Sequence, residues 1–351
     1  MAASLQNSTK EILYVGTYTP KGEGVYVYQF DRYNFTCKEI QLVPSESSPS
    51  FLEFDPGKNY LYATNEGNNT ISSFAIDRKN GLLTELNVKS SLGDGPCHVS
   101  LNPTGQFLYI SNYNSGDLSV YKVSSDGSIG DAIQVIPHGD PAKKSHMHSV
   151  VHSLDGKYAY ASDLGTDKIM IYTVNHLTGR LTPASDSYTE VLSGDGPRHL
   201  VVANTGHVYS VGELSSVINT FEIVGSTGTL IHNERVKMLP GEFIGKNSAA
   251  DIHISPDGNF LYASNRGHDS LAIYQVDTKS GRLSSTGFTS TGGSHPRNFL
   301  IDETGAFIVV ANRDTDNLVF FERKMEDGQL LPLEKQIQIP SPVCVKQLLL
   351  V

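Results

Sequence analysis

Short runs of apolar residues alternate with polar turns along almost the whole chain. The runs, typified by FLYAS and SLAIYQV, are rich in aromatic and β-branched residues or alternate with a period of two, which is typical of β-strands. The turns between them, such as NPTG, LDG and PDG, contain Gly, Pro, Asp and Asn, the residues that supply turn conformations. Because no helix-period segment of useful length occurs, the chain is predicted to be all-β.

The predicted strands fall into a repeated unit. Six units begin at Phe51, His98, Ser149, His199, Asp251 and Asn298. Successive starts lie 47 to 52 residues apart, which suits a propeller blade of about four strands. Each unit contains a short apolar strand, an aromatic-rich strand, an alternating strand and a more polar strand. This order predicts a blade that runs outward from a central axis.

The two ends of the chain supply one further blade. Residues 11–44 contain the second, third and fourth strands of a unit but lack the first, whereas the final SPVCVKQLLLV resembles a lone first strand. Pairing the two would close the ring and remove exposed sheet edges. We therefore expect a single seven-bladed β-propeller domain over residues 1–351, closed by the C-terminal strand joining the N-terminal blade, with residues 1–10 as a disordered tail.

Composition narrows the class of partner and the compartment. The 351 residues carry a net charge of −10, from 37 acidic and 27 basic residues, which argues against nucleic acid as the main partner. No run is long enough to cross a membrane, and the N-terminal MAASLQNSTKE lacks an apolar signal core. Three widely spaced cysteines without a CxxC pair indicate reduced thiols. We expect a cytoplasmic monomer or weak dimer, or a periplasmic protein if a signal peptide has been removed.

The mouth of the central channel is the place where chemistry is expected. The first two strands of a blade are antiparallel neighbours, so the residue before the first and the residue after the second lie at the same end. The residues before the first strand are Ser50, Cys97, His148, Arg198, Ala250, Arg297 and Val343. The residues after the second strand are Tyr18, Glu66, Tyr113, Leu164, Glu213, Arg266 and Arg313. Four arginines, two glutamates and a histidine are thus predicted to converge on one funnel.

These residue types suit an anionic substrate. Guanidinium groups bind carboxylate or phosphate and stabilise an oxyanion, and a histidine or glutamate can take a proton from water. Without a GxSxG elbow, an activated water is favoured over a covalent serine. The alternative is that the arginines pair with the glutamates and only join blades. His146 and His148 could form half of a metal site, but no third ligand is evident, so no metal or cofactor is expected. The structural candidates are His98, His199 and His253 as hydrogen-bonding residues and Cys97 as a packed thiol.

The chain resembles the seven-bladed lactonase family, which includes propeller-type 6-phosphogluconolactonases and 3-carboxy-cis,cis-muconate cyclases. The resemblance rests on YVGTYT, GPCHVSLNPTGQFLYISNY, HMHSVVHSLDGKYAYASDLG, GPRHL, GEL, ISPDGNFLYASNRGHDSLAIY and HPRNF, in this order. It implies that the catalytic group consists of His148, Arg198, Glu213 and Arg266. We add as candidates for substrate binding Arg297, Arg313, Glu66 and His146. Glu66 could instead orient an arginine or join two blades.

The resemblance implies hydrolysis of 6-phospho-D-glucono-1,5-lactone to 6-phosphogluconate, a step of the oxidative pentose phosphate pathway. The hypothesis for the site is that Arg266 and Arg297 hold the phosphate, Arg198 stabilises the oxyanion, and His148 or Glu213 activates water. Three alternatives remain open at this point. They are a lactonising cycloisomerase of a muconate-type substrate, a non-catalytic binding scaffold, and a calcium-dependent lactonase of unphosphorylated sugars.

Overall fold

Every regular element in the described part of the protein is a β-strand. The computed structural model describes residues 10–139 and 142–350, and over these residues 28 strands form seven four-stranded antiparallel sheets. The first strand of each sheet contacts the first strands of the two neighbouring sheets, and the series β28, β4, β8, β12, β16, β20 and β24 returns to its start. The seven-bladed β-propeller prediction is therefore confirmed.

The first four blades follow the predicted repeat. Blade 1 consists of β28 (Pro342–Leu350), β1 (Lys10–Thr17), β2 (Gly24–Asp31) and β3 (Thr36–Pro44). Blade 2 consists of β4 (Pro49–Phe54), β5 (Tyr60–Asn65), β6 (Thr70–Ile76) and β7 (Leu83–Ser90). Blade 3 consists of β8 (Pro96–Leu101), β9 (Phe107–Asn112), β10 (Asp117–Val123) and β11 (Ile129–Pro137). Blade 4 consists of β12 (Met147–His152), β13 (Tyr158–Asp163), β14 (Lys168–Val174) and β15 (Leu181–Glu190).

The remaining three blades have the same order of strands. Blade 5 consists of β16 (Pro197–Val202), β17 (His207–Gly212), β18 (Val217–Ile223) and β19 (Leu230–Lys237). Blade 6 consists of β20 (Ser248–Ile254), β21 (Phe260–Arg266), β22 (Ser270–Val276) and β23 (Leu283–Ser290). Blade 7 consists of β24 (Pro296–Ile301), β25 (Phe307–Asn312), β26 (Asn317–Arg323) and β27 (Leu330–Gln338).

Blade 1 closes the ring in the predicted way. The C-terminal β28 pairs antiparallel with β1, from Lys10 opposite Leu350 to Thr17 opposite Pro342. This pairing gives blade 1 its fourth strand and leaves no unpaired inner edge between the two chain ends. The tail expected over residues 1–10 lies outside the described residues except for Lys10, which begins β1.

The core lies between blades, because both faces of the middle strands are covered. β9 is buried along its whole length, whereas the outermost β15 exposes most of its side chains. Tyrosines on second strands also join neighbouring blades by hydrogen bonds. The Tyr14 hydroxyl donates to the carbonyl of Gly81 at 2.7 Å, and the Tyr62 hydroxyl donates to that of Gly127 at 3.0 Å. The aromatic-rich second strands recognised in the sequence therefore hold adjacent blades together.

Every first strand contains a β-bulge near its start, where its pairing with the second strand shifts register. The bulged positions include Ser50, Cys97, His148, Arg198, Ala250, Arg297 and Val343. The prediction that these residues precede the strand is wrong, because they lie inside it. Arg266 likewise ends β21 rather than following it. A bulged residue leaves the regular ladder, so its side chain can be directed away from the strand's normal alternation.

Candidate functional site

The two predicted rings of residues meet at one end of the channel. The backbone N–H of Glu213 donates to the carbonyl of Gly196 at 2.8 Å, and Tyr113 makes the same bond to Gly95 at 2.8 Å. Gly196 has a φ of 61° immediately before Pro197. Glycine adopts this left-handed conformation at little cost. The turn therefore brings Glu213, which follows the second strand, beside the bulge of the first strand, which carries Arg198.

A cavity of about 250 Å³ lies at this mouth. Its lining residues are Glu66, Gly95, Cys97, Tyr113, Asn114, His148, Glu213 and Arg297. Four of them are sequence-predicted site residues from blades 2, 4, 5 and 7. The structure thus brings together side chains that are far apart in the chain, as the ring argument required.

Glu213 forms ion pairs with two buried arginines. Its Oε2 lies 2.8 Å from Arg198 Nε, and its Oε1 lies 3.0 Å from Arg266 Nη2. Both guanidinium groups also donate to backbone carbonyls, Arg198 to Ala250 at 2.5 Å and Arg266 to Ala249 at 2.7 Å. Arg198 is only 2% exposed. The two arginines therefore support Glu213 from behind, and Glu213 presents the carboxylate to the cavity.

Charge compensation sets the protonation state of this cluster. Burial acts to raise the pKa of Glu213, but Arg198 and Arg266 outweigh burial, and the pKa lies below its ordinary value. Burial lowers the pKa of Arg266 to about 10, with Arg198 contributing in the same direction. At neutral pH the carboxylate is ionised and both guanidinium groups remain charged.

Arg297, from blade 7, lines the same cavity and has a separate partner. Its Nη2 lies 3.7 Å from Glu66 Oε1, and its guanidinium lies 5.0 Å from the centre of the Tyr18 ring. The Tyr18 hydroxyl donates to Glu66 at 3.1 Å. Burial alone would lower the pKa of Arg297, but Tyr18 and Glu66 outweigh burial and raise it. Glu66 thus lies beside an arginine of another blade, a contact that fits both roles that the sequence left open, and its role stays a prediction.

His148 is a buried imidazole between these groups. It is 4% exposed, and its ring packs edge-on against Tyr113 and His199 at centroid distances of 5.6 and 5.2 Å. Burial, followed by the positive charge of Arg198, holds its pKa well below the ordinary histidine value. His148 is therefore neutral at physiological pH. Its Nδ1 is buried without a hydrogen-bond partner among the described residues.

The cluster as a whole is suited to a small anion. Three arginines are opposed by two glutamates, and with His148 neutral one net positive charge remains. Guanidinium groups of this kind recognise carboxylate and phosphate oxygens. No group of three or more His, Cys, Asp or Glu side chains suited to a metal ion occurs among residues 10–139 and 142–350.

Two predicted substrate-binding residues lie outside the cavity lining. Arg313 Nε lies 2.6 Å from Asp314 Oδ1, and Arg313 is also close to His295. The His146 ring stacks on Tyr113 at 4.4 Å, and its Nδ1 is bonded to the Tyr113 carbonyl at 2.9 Å. His146 thus supports a lining residue, and direct substrate contact by His146 or Arg313 stays a prediction.

Sequence reasoning assigned no catalytic or binding role to the other four lining residues, namely Gly95, Cys97, Tyr113 and Asn114. Tyr113 and Cys97 belong to the two predicted rings, so their position at the mouth was predictable. The candidate residues were chosen by charge, which these two side chains lack. Asn114 follows Tyr113 and had no signal of its own. Cys97 is a buried free thiol, as expected, and burial raises its pKa.

Comparison with known proteins agrees with this geometry. The family described as "Lactonase, 7-bladed beta-propeller" matches residues 12–347. The chain belongs to this lactonase family. Among its relatives, a 6-phosphogluconolactonase of Bacillus subtilis is 35% identical, with 96% of this chain and 98% of the relative covered. One of Formosa agariphila with the same name is 32% identical, with 93% and 96% covered.

A solved structure of a related protein has nearly the same backbone. The periplasmic gluconolactonase of Pseudomonas aeruginosa matches with a TM-score of 0.91 and 32% identity, over 98% of this chain and 100% of that one. Among the described residues of this chain, no helix is long and apolar enough to cross a membrane.

Proposed function

We propose that this protein hydrolyses 6-phospho-D-glucono-1,5-lactone to 6-phosphogluconate in the cavity at the channel mouth. The observation that carries the proposal is the arrangement of a neutral, buried His148 beside an arginine-rich cluster with one net positive charge. It occurs in a lactonase-family fold whose relatives include proteins named 6-phosphogluconolactonase.

Arg297 is the cation in this proposal that receives the phosphate. It lines the cavity, and its partner Glu66 is 3.7 Å away, beyond the usual hydrogen-bond length. A phosphate that offers closer oxygens can therefore gain a paired, charge-assisted contact. Arg266 is tied to Glu213 and to a backbone carbonyl, so its part in phosphate binding is electrostatic.

The reaction requires addition of water to the lactone carbonyl and cleavage of the ring C–O bond. A base takes one proton from the water while the water oxygen bonds to the carbonyl carbon, and a tetrahedral oxyanion forms. The oxyanion collapses, the ring oxygen leaves, and the proton returns to that oxygen as the new hydroxyl. In the proposal the positive charge of Arg198 stabilises the oxyanion.

His148 is the better candidate for the base than Glu213. The Glu213 carboxylate is already engaged by two guanidinium groups, which stabilise its ionised form and weaken it as a base. Burial is the main cause of the low pKa of His148, and the positive charges of Arg198 and Arg297 contribute to it as well. A bound phosphate would offset these charges and raise the affinity of His148 for a proton when the substrate is present.

A second candidate substrate is the unphosphorylated gluconolactone. It is favoured by the carboxylates that already neutralise much of the arginine charge, and by the name of the Pseudomonas relative. The charge of the same two carboxylates disfavours a purely apolar binding surface, and so the alternative of a non-catalytic binding scaffold. The relatives reported above are named as lactonases, which favours hydrolysis over the muconate cycloisomerase alternative. Residence in the cytoplasm and a monomeric or weakly dimeric state remain predictions.

The decisive experiment is hydrolysis of freshly prepared 6-phosphogluconolactone, coupled to 6-phosphogluconate dehydrogenase, with and without EDTA. Turnover above the spontaneous rate that resists EDTA is expected. Gluconolactone in a pH-indicator assay serves as the parallel substrate. Loss of turnover in EDTA, restored by calcium, would support the calcium-dependent alternative. Absence of turnover with both lactones would refute the proposed function.

A further inference from the structure

Asp251, in blade 6, lies at the centre of a buried hydrogen-bond network that reaches His148 through His199. Asp251 is 3% exposed and lies in the bulged region of β20. Its Oδ1 is 2.7 Å from His199 Nδ1 in blade 5. Its Oδ2 is 2.9 Å from His253 Nε2 and accepts from Asn298 Nδ2 at 2.6 Å. The carboxylate therefore joins three blades near the channel axis.

The donors around Asp251 require it to accept hydrogen bonds. Its two oxygens also accept from the backbone N–H groups of Ile252 and Phe299, at 3.0 and 3.3 Å. The Asn298 amide is held in its donating orientation, because its Oδ1 accepts from the N–H of Val345 at 2.8 Å. Burial acts to raise the pKa of Asp251, but His253 and His199 outweigh it, and the net pKa lies well below the ordinary value.

The bond to Asp251 selects one tautomer of His199. Burial and Arg198 lower the pKa of His199 to about 4, so the ring carries a single N–H at neutral pH. An ionised carboxylate can only accept, and the proton is therefore on Nδ1. His199 Nε2 is left with a lone pair. It is buried and has no hydrogen-bond partner among the described residues.

The free nitrogen of His199 belongs to a ring that touches the candidate base. The His199 and His148 ring centres are 5.2 Å apart, and the rings meet edge-on. An N–H···N bond spans about 3 Å between nitrogens. The rest of the distance between the two ring centres is the distance from each centre to its own nitrogen. Since His148 Nδ1 is also buried without a partner in the described part of the chain, rotation of one ring can pair these nitrogens.

We infer that Asp251 is a positioning residue of the lactone-hydrolysing site, acting through His199 to set the tautomer of His148. The inference rests on the proposed function. Asp251 holds the proton of His199 on Nδ1, and His199 Nε2 accepts the Nδ1–H of His148. His148 then offers an unprotonated Nε2 to the water that attacks the lactone. When that water gives its proton to His148, the imidazole becomes cationic. The leaving ring oxygen then takes this proton, so His148, His199 and Asp251 end the reaction with the charges they had at its start.

The other charged groups around Asp251 leave this role to His199. His253 contacts the second oxygen, but its side chain is 37% exposed and lines a different cavity from the one that His148 lines. Lys346 is close by and is paired with Glu53 at 2.8 Å. Neither residue has a contact with the His148 ring among those found in the structure.

The test compares Asp251→Asn with a matched control at another buried carboxylate. In the D251N variant the amide N–H₂ must face one of the donors that surround this position. We expect it to face His199, because a histidine can become an acceptor by moving its proton to the other ring nitrogen. The proton of His199 should therefore move to Nε2. The control is Asp302→Asn in a turn of blade 7, where Asp302 accepts from the N–H of Phe307 at 2.9 Å. Asn102 makes the same bond to Phe107 in blade 3 at 3.0 Å, which indicates that asparagine is tolerated in this turn.

Two readouts are needed. Long-range ¹H–¹⁵N spectra of the histidine side chains report the tautomer, with His199 assigned by the signal lost in His199→Gln. The wild type should show the Nδ1–H form, and D251N should lose it. In the lactonase assay D251N should reduce kcat by about 10- to 100-fold, a part of what a general base contributes, with KM changed by less than about three-fold. His199→Gln should match it, and the double variant should be no worse than either.

Each outcome decides the inference. Wild-type kcat in folded D251N, or the Nε2–H tautomer of His199 in the wild type, would overturn it. A loss of kcat in D302N as large as in D251N would reduce Asp251 to a general stabilising residue. If D251N does not fold, the wild-type spectrum and the H199Q kinetics decide. If the wild type hydrolyses no lactone, the proposed function fails, and the spectra still determine whether Asp251 fixes the tautomer of His199.

Discussion

The Oε2 atom of Glu213 lies 2.8 Å from the Nε of Arg198, and only the glutamate lines the cavity. Arg198 is buried and Glu213 is half-buried, with side-chain exposures of 2% and 20%. Removal of one partner from a buried pair leaves the other charge uncompensated. The pair is therefore part of the proposed site and lies within blade 5, where it joins the bulge of β16 to the residue that follows β17.

Arg198→Ala is expected to lower kcat/KM for 6-phosphogluconolactone by about 10²–10³-fold, the cost of losing a group that stabilises an oxyanion. Arg198→Lys should recover little of this loss, because one ammonium cannot reproduce the contacts of the guanidinium with both Glu213 and the Ala250 carbonyl. Steady-state kinetics on the folded variants measure the effect. Turnover in R198A within about three-fold of wild type would exclude Arg198 from transition-state stabilisation.

The matched control for this experiment is Arg323→Lys. Arg323 is also buried and bonds to the Tyr262 hydroxyl, the Gly305 carbonyl and Asp257. It joins blades away from the cavity. R323K should lower the midpoint of thermal unfolding while the folded enzyme keeps its kcat. If R323K loses kcat as R198K does, the effect of R198K must be attributed to blade packing.

Arg297→Gln should discriminate between the two candidate substrates. It removes the cation that lines the cavity, so KM for the phosphorylated lactone should rise by about 10-fold or more, the size expected for a charge-assisted contact. KM for gluconolactone should change by less than about three-fold, since no phosphate is bound. Equal losses with both lactones would show that Arg297 acts on the reacting carbonyl rather than on the phosphate.

Glu66→Gln is expected to have the opposite sign. The carboxylate lies 3.7 Å from Arg297 and competes with an incoming anion. The amide keeps a bond to Tyr18 but removes the negative charge, so KM for the phosphorylated lactone should fall by about five-fold, equivalent to about 1 kcal/mol. Inhibition by inorganic phosphate should strengthen in parallel. A rise in KM would instead indicate that Glu66 is needed to hold Arg297 in place.

Buried histidines should make the protein unstable in mild acid. Burial lowers the pKa of His152 and of His199 to about 4, and those of His98 and His148 also lie well below the ordinary value. The unfolded chain takes up these protons below a pH of about 6.5, while the folded chain does not. The free energy of unfolding should therefore fall as pH drops from about 6.5 towards about 4, by up to about 1.4 kcal/mol per pH unit for each histidine.

Urea unfolding at a series of pH values measures this slope. His152→Gln is the informative variant, because His152 of blade 4 packs on Tyr109 of blade 3 at 4.6 Å, and neither residue lines the cavity. It should reduce the slope by the contribution of one histidine. A free energy of unfolding that stays constant between about pH 7 and about pH 4.5 would contradict the expected burial of neutral histidines.

The sequence by itself determined the repeat, the number of blades and the way in which the ring closes. These features follow from local patterns, since strand period, turn residues and unit spacing are written along the chain. It also determined which residues reach the mouth, because antiparallel pairing fixes the ends of neighbouring strands. His148, Glu213, Arg297 and Glu66 were placed in this way and do line one cavity. The single-domain boundary over the whole chain stays a prediction.

Only the tertiary structure decided how those side chains are paired. The sequence could not show that Glu213 pairs with both Arg198 and Arg266, or that Arg297 of blade 7 pairs with Glu66 of blade 2. It also gave His199 and Asp251 no special role, although 2.7 Å separates their polar atoms. The reason is physical. Bulges redirect Arg198, His199 and Arg297 out of the strand's alternation. Arg266, Asp251 and Glu66 reach their partners from other blades, far away in the chain, where no local pattern can specify the pairing.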